Sequence, residues 1–110
     1  MSTQKQQYQD YIKDLINKHK VLVFIKGEKI MPMCGFSHSV ITILNHFNIT
    51  YYCINVLEDA QLKNEIKKYS QWPTIPQVYI NGEFIGGADI IIDLYKNNQL
   101  KELLEKAINS

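Results

Sequence analysis

The sequence predicts a mixed α/β domain in which helices cover a four-stranded sheet. In the first half of the chain, short apolar segments typical of strands alternate with amphipathic helical segments, an order typical of a parallel βαβ unit. In the second half, two strand-like segments are joined by Asn81-Gly82, the dipeptide that type I′ hairpins favour. The sheet is therefore expected to be parallel in its first half and antiparallel in its second.

The first third of the chain is expected to form a helix, a strand and a loop. Tyr8, Ile12 and Ile16 recur at helical spacing with charged residues between them, which indicates an amphipathic helix. Residues 21–25 are an unbroken apolar run, Val-Leu-Val-Phe-Ile, as expected for a strand buried on both faces of a sheet. Residues 26–33 contain a glycine and a proline and are predicted to be a loop.

A helix, a strand and another helix are predicted after this loop. The apolar residues between Phe36 and Phe47 fit a helix that ends near residue 48, and residues 50–56 fit a second strand. Leu62 and Ile66 are flanked by charged residues and indicate an amphipathic helix. These elements complete the parallel half of the sheet.

The rest of the chain predicts the hairpin and two final helices. Strands over residues 77–80 and 83–85 flank the Asn-Gly turn, and Gly86-Gly87 ends the second of them. Asp89 is placed to cap a helix that runs to about residue 96. Apolar spacing over residues 100–108 predicts the last helix.

Size and composition fit a single domain. Of the 110 residues, 45% are hydrophobic and 21% charged, and no repeat or linker divides them. We predict one domain over residues 8–108, preceded by a flexible N-terminus over residues 1–7. The net charge of +1 creates no field that would attract nucleic acid or an anionic membrane, and no apolar run approaches a membrane span. The expectation is an intracellular protein that binds neither.

The two cysteines of the chain are too few for a disulfide framework and are not spaced as a zinc ribbon. Cys34 begins a predicted helix, where the helix dipole and free backbone amides favour a thiolate, although a buried structural cysteine is the alternative. Ser37 stands where a C-x-x-C redox site carries its second thiol, so Cys34 has no disulfide partner within its own motif. Cys53 lies within a predicted strand and is expected to be a buried, inert thiol.

Cys34 begins the tetrapeptide Cys34-Gly35-Phe36-Ser37, and three further blocks accompany it: Lys26-Gly27, Trp-Pro-Thr-Ile-Pro-Gln-Val over residues 72–78, and Gly-Gly-Ala-Asp over residues 86–89. In content, order and spacing, these four blocks resemble the monothiol glutaredoxins. The resemblance covers nearly the whole chain from residue 10 and implies a thioredoxin-like fold. The chain departs from the family at Lys29, where many members have proline, and at Ala88, where many have cysteine.

The resemblance implies a glutathione site. Glutathione carries two carboxylates and one ammonium, so its site needs positive groups at two places and one acidic group. Lys26 is expected beside the thiolate and the glycine carboxylate, with Lys63 adding charge from a neighbouring helix. The amides of Ala88 and Asp89 are expected to hold the γ-glutamyl carboxylate, and the Asp89 side chain to meet the ammonium. The predicted glutathione-binding residues are Lys26, Lys63, Thr74, Ile75, Pro76, Gly87, Ala88 and Asp89.

Pro76 resembles the cis-proline of the thioredoxin-like fold, although a plain turn proline is the alternative. A cis bond would turn the backbone of Ile75 outwards, so that its amide and carbonyl can pair with a bound thiol compound as a strand edge would.

The aromatic residues Phe36 and Trp72 have two open interpretations: they belong either to a surface that contacts a partner or to the hydrophobic core.

The resemblance implies an iron-sulfur carrier. A [2Fe-2S] cluster needs four thiolates, and two copies of Cys34 with two glutathione thiolates would provide them. The protein is then expected to be a monomer without cluster and a homodimer with it, passing the cluster to acceptor proteins in the mitochondrion, the cytoplasm or a plastid. The alternatives are a glutathione-dependent oxidoreductase, of at most weak activity, and a redox-silent binding module.

Overall fold

The computed structural model describes residues 3–110 and shows, over that range, a four-stranded sheet flanked by helices. The helices are α1 (Gln4–Lys18), α2 (Gly35–His46), α3 (Ala60–Ser70), α4 (Ala88–Lys96) and α5 (Gln99–Ile108), with a 3-10 turn at Val56–Glu58. The strands are β1 (Val21–Ile25), β2 (Gly27–Glu28), β3 (Met31–Pro32), β4 (Tyr52–Asn55), β5 (Gln77–Ile80) and β6 (Glu83–Gly86).

The sheet has the mixed topology that the sequence predicts. Its strand order is β4-β1-β5-β6, with β1 parallel to β4 and antiparallel to β5, and β6 antiparallel to β5. All five residues of β1 are buried, in agreement with its unbroken apolar sequence. Asn81 and Gly82 have φ of 52° and 83°, the positive values that a type I′ turn requires. The predicted thioredoxin-like architecture is confirmed.

The core lies on both faces of this sheet. Val23 and Ile25 pack into one apolar cluster with side chains of α2, α4 and α5, whereas Leu22 and Phe24 face the opposite cluster with α1 and α3. This division follows from the alternation of side chains along a strand. Full burial of each such side chain contributes roughly 1.5–3 kcal/mol to the free energy of unfolding, so β1 anchors both layers.

The chain is helical earlier than predicted. Helix α1 begins at Gln4, and the Thr3 hydroxyl oxygen accepts a hydrogen bond from the backbone N–H of Gln6 at 3.1 Å. Residues 4–7 are therefore the capped first turn of a helix, consistent with Gln and Lys being good helix formers, and the flexibility of the N-terminus stays a prediction. Met1 and Ser2, the rest of that predicted segment, lie outside the described residues.

Two further local predictions differ from the structure. The segment 26–33, predicted to be a loop, contains the short hairpin β2–β3, in which Gly27 pairs with Pro32 and Glu28 with Met31. Strands of two residues have no periodicity that a sequence could show. Asp89 does not cap α4, because Gly87 occupies the N-cap and Asp89 lies in the first helical turn.

Polar contacts join α1 to α3 on one side of the sheet. The Tyr8 hydroxyl donates to Asp59 Oδ2 at 2.8 Å, and Gln9 Nε2 donates to the buried carboxylate of Glu65 at 2.8 Å. Asp59 also caps α3 by accepting hydrogen bonds from two of its free backbone N–H groups.

Across residues 3–110, every helix is too short or too polar to cross a membrane.

Candidate functional site: a cleft around Cys34

Cys34 is the N-cap residue of α2 and follows directly on the β2–β3 hairpin. The Met33 N–H donates to the Lys26 carbonyl at 2.8 Å, and the Lys26 N–H donates to Ser37 Oγ at 3.1 Å. The N–H of Gly27 donates to Asn55 Oδ1 at 2.9 Å. These hydrogen bonds connect the end of β1, the hairpin, β4 and the start of α2, and so they fix the position of the Cys34 backbone.

The surroundings of Cys34 stabilise its thiolate. The backbone N–H of Ser37 is the main cause that lowers the pKa of Cys34 below the ordinary value, and the Phe36 N–H, the charge of Lys26 and the Ser37 hydroxyl act in the same direction. Partial burial opposes them but does not reverse the shift. The direction agrees with the prediction made from the helix N-terminus. Cys34 is half-buried, so reagents can reach its sulfur.

The other candidate thiol positions do not compete with Cys34. Ser37, at the second position of a C-x-x-C motif, is fully buried, and its oxygen is occupied by the Lys26 N–H. Cys53 is half-buried in β4, less enclosed than predicted, and burial raises the pKa of Cys53 to about 11. Its thiol is therefore protonated at neutral pH, as an inert cysteine should be.

Alkylation by iodoacetamide should distinguish the two cysteines. The thiolate is the nucleophile, so Cys34, with its lowered pKa, should react first at pH 7 and reach its full rate at a pH below that of an ordinary cysteine. Cys53 should react quickly only as the pH approaches 11, or after unfolding. Mass spectrometry of peptides over a pH series measures both rates, and equal rates at pH 7 would contradict this electrostatic description.

A cleft of about 420 Å³ opens beside Cys34. Seven of the eight predicted glutathione-binding residues line it together with Cys34: Lys26, Thr74, Ile75, Pro76, Gly87, Ala88 and Asp89. Its other lining residues are Phe36, Lys67, Trp72 and Pro73. The cleft therefore brings together residues from the end of β1, the start of α2, the end of α3, the segment before β5 and the start of α4.

Lys63 is the predicted site residue that does not line the cleft. Lys67, one helical turn further along α3, lines it instead. The backbone explains the difference, because the Trp72 N–H donates to the Lys67 carbonyl at 3.1 Å and so joins the C-terminal end of α3 to the wall of the cleft. The sequence shows two lysines on one helical face but not which turn of the helix meets the cleft.

The wall formed by residues 72–76 is held from behind by a buried side chain. Gln77 is 0% exposed, and its Nε2 donates to the carbonyls of Trp72 at 3.1 Å and Thr74 at 3.2 Å. Its Oε1 accepts a hydrogen bond from the Tyr79 hydroxyl at 3.1 Å. The Ile75–Pro76 peptide bond is cis, as predicted, and the Ile75 side chain is buried in the core.

Gly87 allows two walls of the cleft to approach closely. A Cβ atom at this position would lie 3.0 Å from Trp72 Nε1 and 3.3 Å from the Pro76 carbonyl oxygen. Trp72 is half-buried, packs on Phe84 at 5.5 Å between ring centroids and lines the cleft, but it belongs to neither apolar core cluster. Phe36, the other aromatic with two interpretations, is exposed at the cleft and does not belong to the core.

The charges of the cleft suit a small zwitterionic ligand with excess negative charge. Lys26 and Lys67 provide two cations, and Asp89 provides one carboxylate. Helix α4 begins after its N-cap Gly87, and the backbone N–H groups of its first turn can donate hydrogen bonds to an anion. The thiolate of Cys34 is thus placed in a cleft with positive groups at two places and one acidic group.

The sheet is thioredoxin-like, and one cleft is lined both by a low-pKa cysteine at a helix N-terminus and by a cis-proline segment. These features place the protein in the thioredoxin-like class. Comparison with known proteins narrows this class, since the family model described as Glutaredoxin matches residues 21–85. The chain belongs to the glutaredoxin family, and its curated relatives assign it to the monothiol branch.

The similarity to these relatives extends over most of the chain. The chain is 54% identical over 99 residues to the uncharacterized monothiol glutaredoxin ycf64-like of Synechocystis sp., and the match covers 90% of this chain and 92% of that protein. It is 45% identical over 104 residues to the chloroplastic monothiol glutaredoxin-S14 of Arabidopsis thaliana, covering 94% of this chain and 60% of that protein. The mitochondrial glutaredoxin-related protein 5 of Danio rerio is 44% identical over 99 residues, with coverage of 89% and 64%.

Solved structures show the same fold. Reduced apo GrxS14 from poplar matches with a TM-score of 0.81 at 44% identity, covering 93% of this chain and 94% of that one. The holo form of glutaredoxin C1 from Populus tremula x tremuloides matches with a TM-score of 0.86 at 26% identity, covering 96% and 94%.

Proposed function

We propose that this protein binds glutathione and carries a [2Fe-2S] cluster shared between two copies of the chain, and that it serves in iron-sulfur cluster assembly, storage or transfer. The observation that carries the proposal is the accessible, low-pKa thiol of Cys34, which stands alone in its cleft. A cluster with two irons requires four thiolates. Because Ser37 is buried and Ala88 has no thiol, one chain contributes one thiolate from this cleft.

The cleft has the size and charge for glutathione. Its volume of about 420 Å³ lies in the range of small-molecule sites. Lys26 and Lys67 suit one carboxylate, the N-terminus of α4 suits the other, and Asp89 suits the ammonium. The backbone of Ile75 supplies the strand-like pairing for the peptide part. A glutathione held in this way would bring its own thiol to the side of Cys34.

Exposed apolar side chains beside Cys34 support pairing with a second copy. Ile30 and Met31 of the β2–β3 hairpin are 95% and 67% exposed, Met33 just after the hairpin is 66% exposed, and Phe36 at the start of α2 is 61% exposed. Covering such a patch stabilises association. The protein would be a monomer without cluster and a homodimer with it, and because half of the ligands are exchangeable glutathione thiolates, the cluster could pass to acceptor proteins.

Anaerobic reconstitution tests this proposal. The protein incubated with iron, sulfide and glutathione should become coloured and should sediment as a dimer that contains two irons for each pair of chains. Omission of glutathione should prevent both changes. A colourless monomer in the complete mixture, or an equally stable cluster formed without glutathione, would refute the proposal.

The two lysines of α3 should differ in their effect on glutathione binding. Replacing Lys67 with Glu should weaken the affinity at least tenfold, because an attractive charge in the cleft becomes repulsive. Lys63→Glu makes the same charge change one turn away, outside the cleft lining, and should weaken binding by no more than about threefold. Isothermal calorimetry with reduced glutathione measures both, and equal losses would show that the two lysines act only through long-range charge.

The lowered pKa of Cys34 also favours a second candidate activity, removal of glutathione from protein mixed disulfides. The Cys34 thiolate would attack the glutathione sulfur, form a new disulfide with it and release the protein thiolate. A second glutathione thiolate would then attack that disulfide, giving oxidised glutathione and restoring Cys34. Turnover of a glutathionylated peptide by the cluster-free protein, coupled to glutathione reductase, measures this activity.

The relatives support an intracellular location for this function. Those from Arabidopsis thaliana and rice are named chloroplastic, the one from Danio rerio mitochondrial, and others come from bacteria. We place the protein in the mitochondrion, the cytoplasm or a plastid. That it binds neither nucleic acid nor membrane stays a prediction.

A further inference from the structure

Strand β4 forms an open edge of the sheet. Within residues 3–110 it is the outermost strand in the order β4-β1-β5-β6, and β1 is its one partner there. Backbone N–H and C=O groups of alternate residues in a strand point to opposite sides, so half of those in β4 point away from the sheet. Among residues 3–110, backbone hydrogen bonds outside the sheet and the helices do not involve Tyr52–Asn55. These outward groups are available to another strand.

The two edges of the sheet are protected unequally. At the opposite edge, β6 carries the charged side chain of Glu83, and its pairing with β5 is interrupted by a register shift between Val78 and Tyr79. Charges and bulges of this kind discourage pairing with a further strand. Strand β4 has the sequence Tyr-Cys-Ile-Asn, without a charge or a proline, and its register with β1 is regular. The structure thus leaves β4 able to accept a strand.

A polar groove of about 470 Å³ runs beside this edge. It is lined by all four residues of β4, and its acidic lining residues are Glu28, Glu58 and Asp59. No lysine or arginine lies in this described lining. Lys29, which follows Glu28 in the chain, is held with its Nζ 4.0 Å from the centre of the Tyr51 ring. The three carboxylates therefore make the groove negative beside the open edge of β4, and the positive charge of Lys29 also reaches this strand at Cys53.

We propose that an extended basic segment of a partner protein binds in this groove and adds a fifth strand along β4. Main-chain hydrogen bonds to the free edge would supply affinity, and basic side chains meeting Glu28 and Glu58 would supply selectivity, with Asp59, whose oxygens already accept from Tyr8, Gln61 and Leu62, adding its charge. The three carboxylates lie near the C-terminal end of the strand: Glu28 is bonded by Asn55, and Glu58 and Asp59 follow β4 within four residues. A second copy of the chain joined through β4 is the alternative occupant, which the oligomeric state in the absence of peptide distinguishes from the proposed one.

Nothing in this groove is part of the cleft around Cys34, so the interaction is separate from the proposed cluster chemistry. The groove reaches the hairpin at one end, where Asn55 Nδ2 donates to Glu28 Oε1 at 3.3 Å and Asn55 Oδ1 accepts from the Gly27 N–H. At its other end the Tyr52 ring stacks on His19 at 4.2 Å. Both ends of β4 are thus held in place, which gives an incoming strand a rigid template.

Titration with a synthetic peptide tests the proposal. The probe is the blocked hexapeptide Lys-Thr-Lys-Lys-Val-Lys, and the readouts are amide chemical shifts and amide hydrogen exchange of the full chain. The peptide should shift and protect the β4 amides that do not pair with β1. The same peptide with a fully N-methylated backbone keeps its charges but cannot donate to the edge, and should not produce this protection.

Charge variants of the protein complete the test. Glu28→Gln and Glu58→Gln should each weaken binding about threefold, as for removal of an exposed ion pair, whereas Glu83→Gln at the opposite edge should leave it unchanged. Equal binding of the N-methylated peptide, equal binding of a peptide with Glu in place of Lys, or shifts confined to the Cys34 cleft would each overturn the proposal. So would a dimer joined through β4 in the absence of peptide.

Discussion

The variant Cys34→Ser should remain colourless and monomeric after anaerobic reconstitution with iron, sulfide and glutathione. The environment of Cys34 stabilises a thiolate through the N–H groups of Ser37 and Phe36 and the charge of Lys26. A serine hydroxyl has a far higher pKa and is a harder, weaker ligand for an iron-sulfur cluster than a thiolate. The visible absorbance and the dimer should both be lost completely.

Cys53→Ser is the matched control for this experiment. Cys53 is half-buried in β4, and burial raises the pKa of its thiol to about 11, so its replacement should leave the colour and the dimer intact. Glutathione affinity should persist in both variants, because Lys26, Lys67 and Asp89 remain in the cleft. Loss of the cluster in Cys53→Ser, or a cluster retained in Cys34→Ser, would show that Cys34 is not the cluster ligand.

Gly27→Ala should cost about 3–5 kcal/mol of the free energy of unfolding, the combined effect of backbone strain and overpacking. Gly27 has φ of 99°, a conformation that alanine rarely adopts. Its new Cβ would lie 2.5 Å from the Met33 nitrogen and 2.7 Å from the Met31 carbonyl oxygen. These are backbone atoms, and the Met33 N–H is bonded to the Lys26 carbonyl, so relief of the clash would distort the segment that positions Cys34.

Urea unfolding followed by circular dichroism measures this loss. Gly35→Ala is the matched control, because a Cβ there would have no atom within 4 Å and the residue begins α2. Its effect should stay within about 1 kcal/mol in either direction. If Gly27→Ala were no more destabilising than Gly35→Ala, the hairpin would be able to shift without cost, and the hydrogen bonds around it would not determine the thiol position.

The helices, the strands and the low-pKa thiol of Cys34 could be predicted from the sequence, because each depends on a pattern among neighbouring residues. The unbroken run in β1 reflects burial on both faces, and the Asn81-Gly82 dipeptide matches the positive φ angles of its turn. Cys34 follows a proline-containing segment and precedes a helical pattern, which places it at a helix N-terminus whatever the rest of the fold does. The acidity of its thiol follows from that backbone geometry.

The composition of the cleft was predicted less completely, because it depends on contacts between elements that are distant in the chain. Lys63 and Lys67 share one face of α3, and only the bond from the Trp72 N–H to the Lys67 carbonyl shows which turn meets the cleft. The close approach of Gly87 to Trp72 likewise joins two segments with no local relation. Phe36 is as apolar as a core residue, and its exposure follows from its place at the start of α2.

By itself, therefore, the sequence determined the order and type of the elements, the mixed sheet and the position of the low-pKa thiol, because periodicity, turn residues and helix ends act over a few neighbouring residues. The tertiary structure decided which lysine lines the cleft, how far Cys53 is buried and that β4 is an open edge beside three carboxylates. These features depend on how helices and strands pack across the sheet. Packing is set by the combined burial of many side chains and has no signature in any single segment.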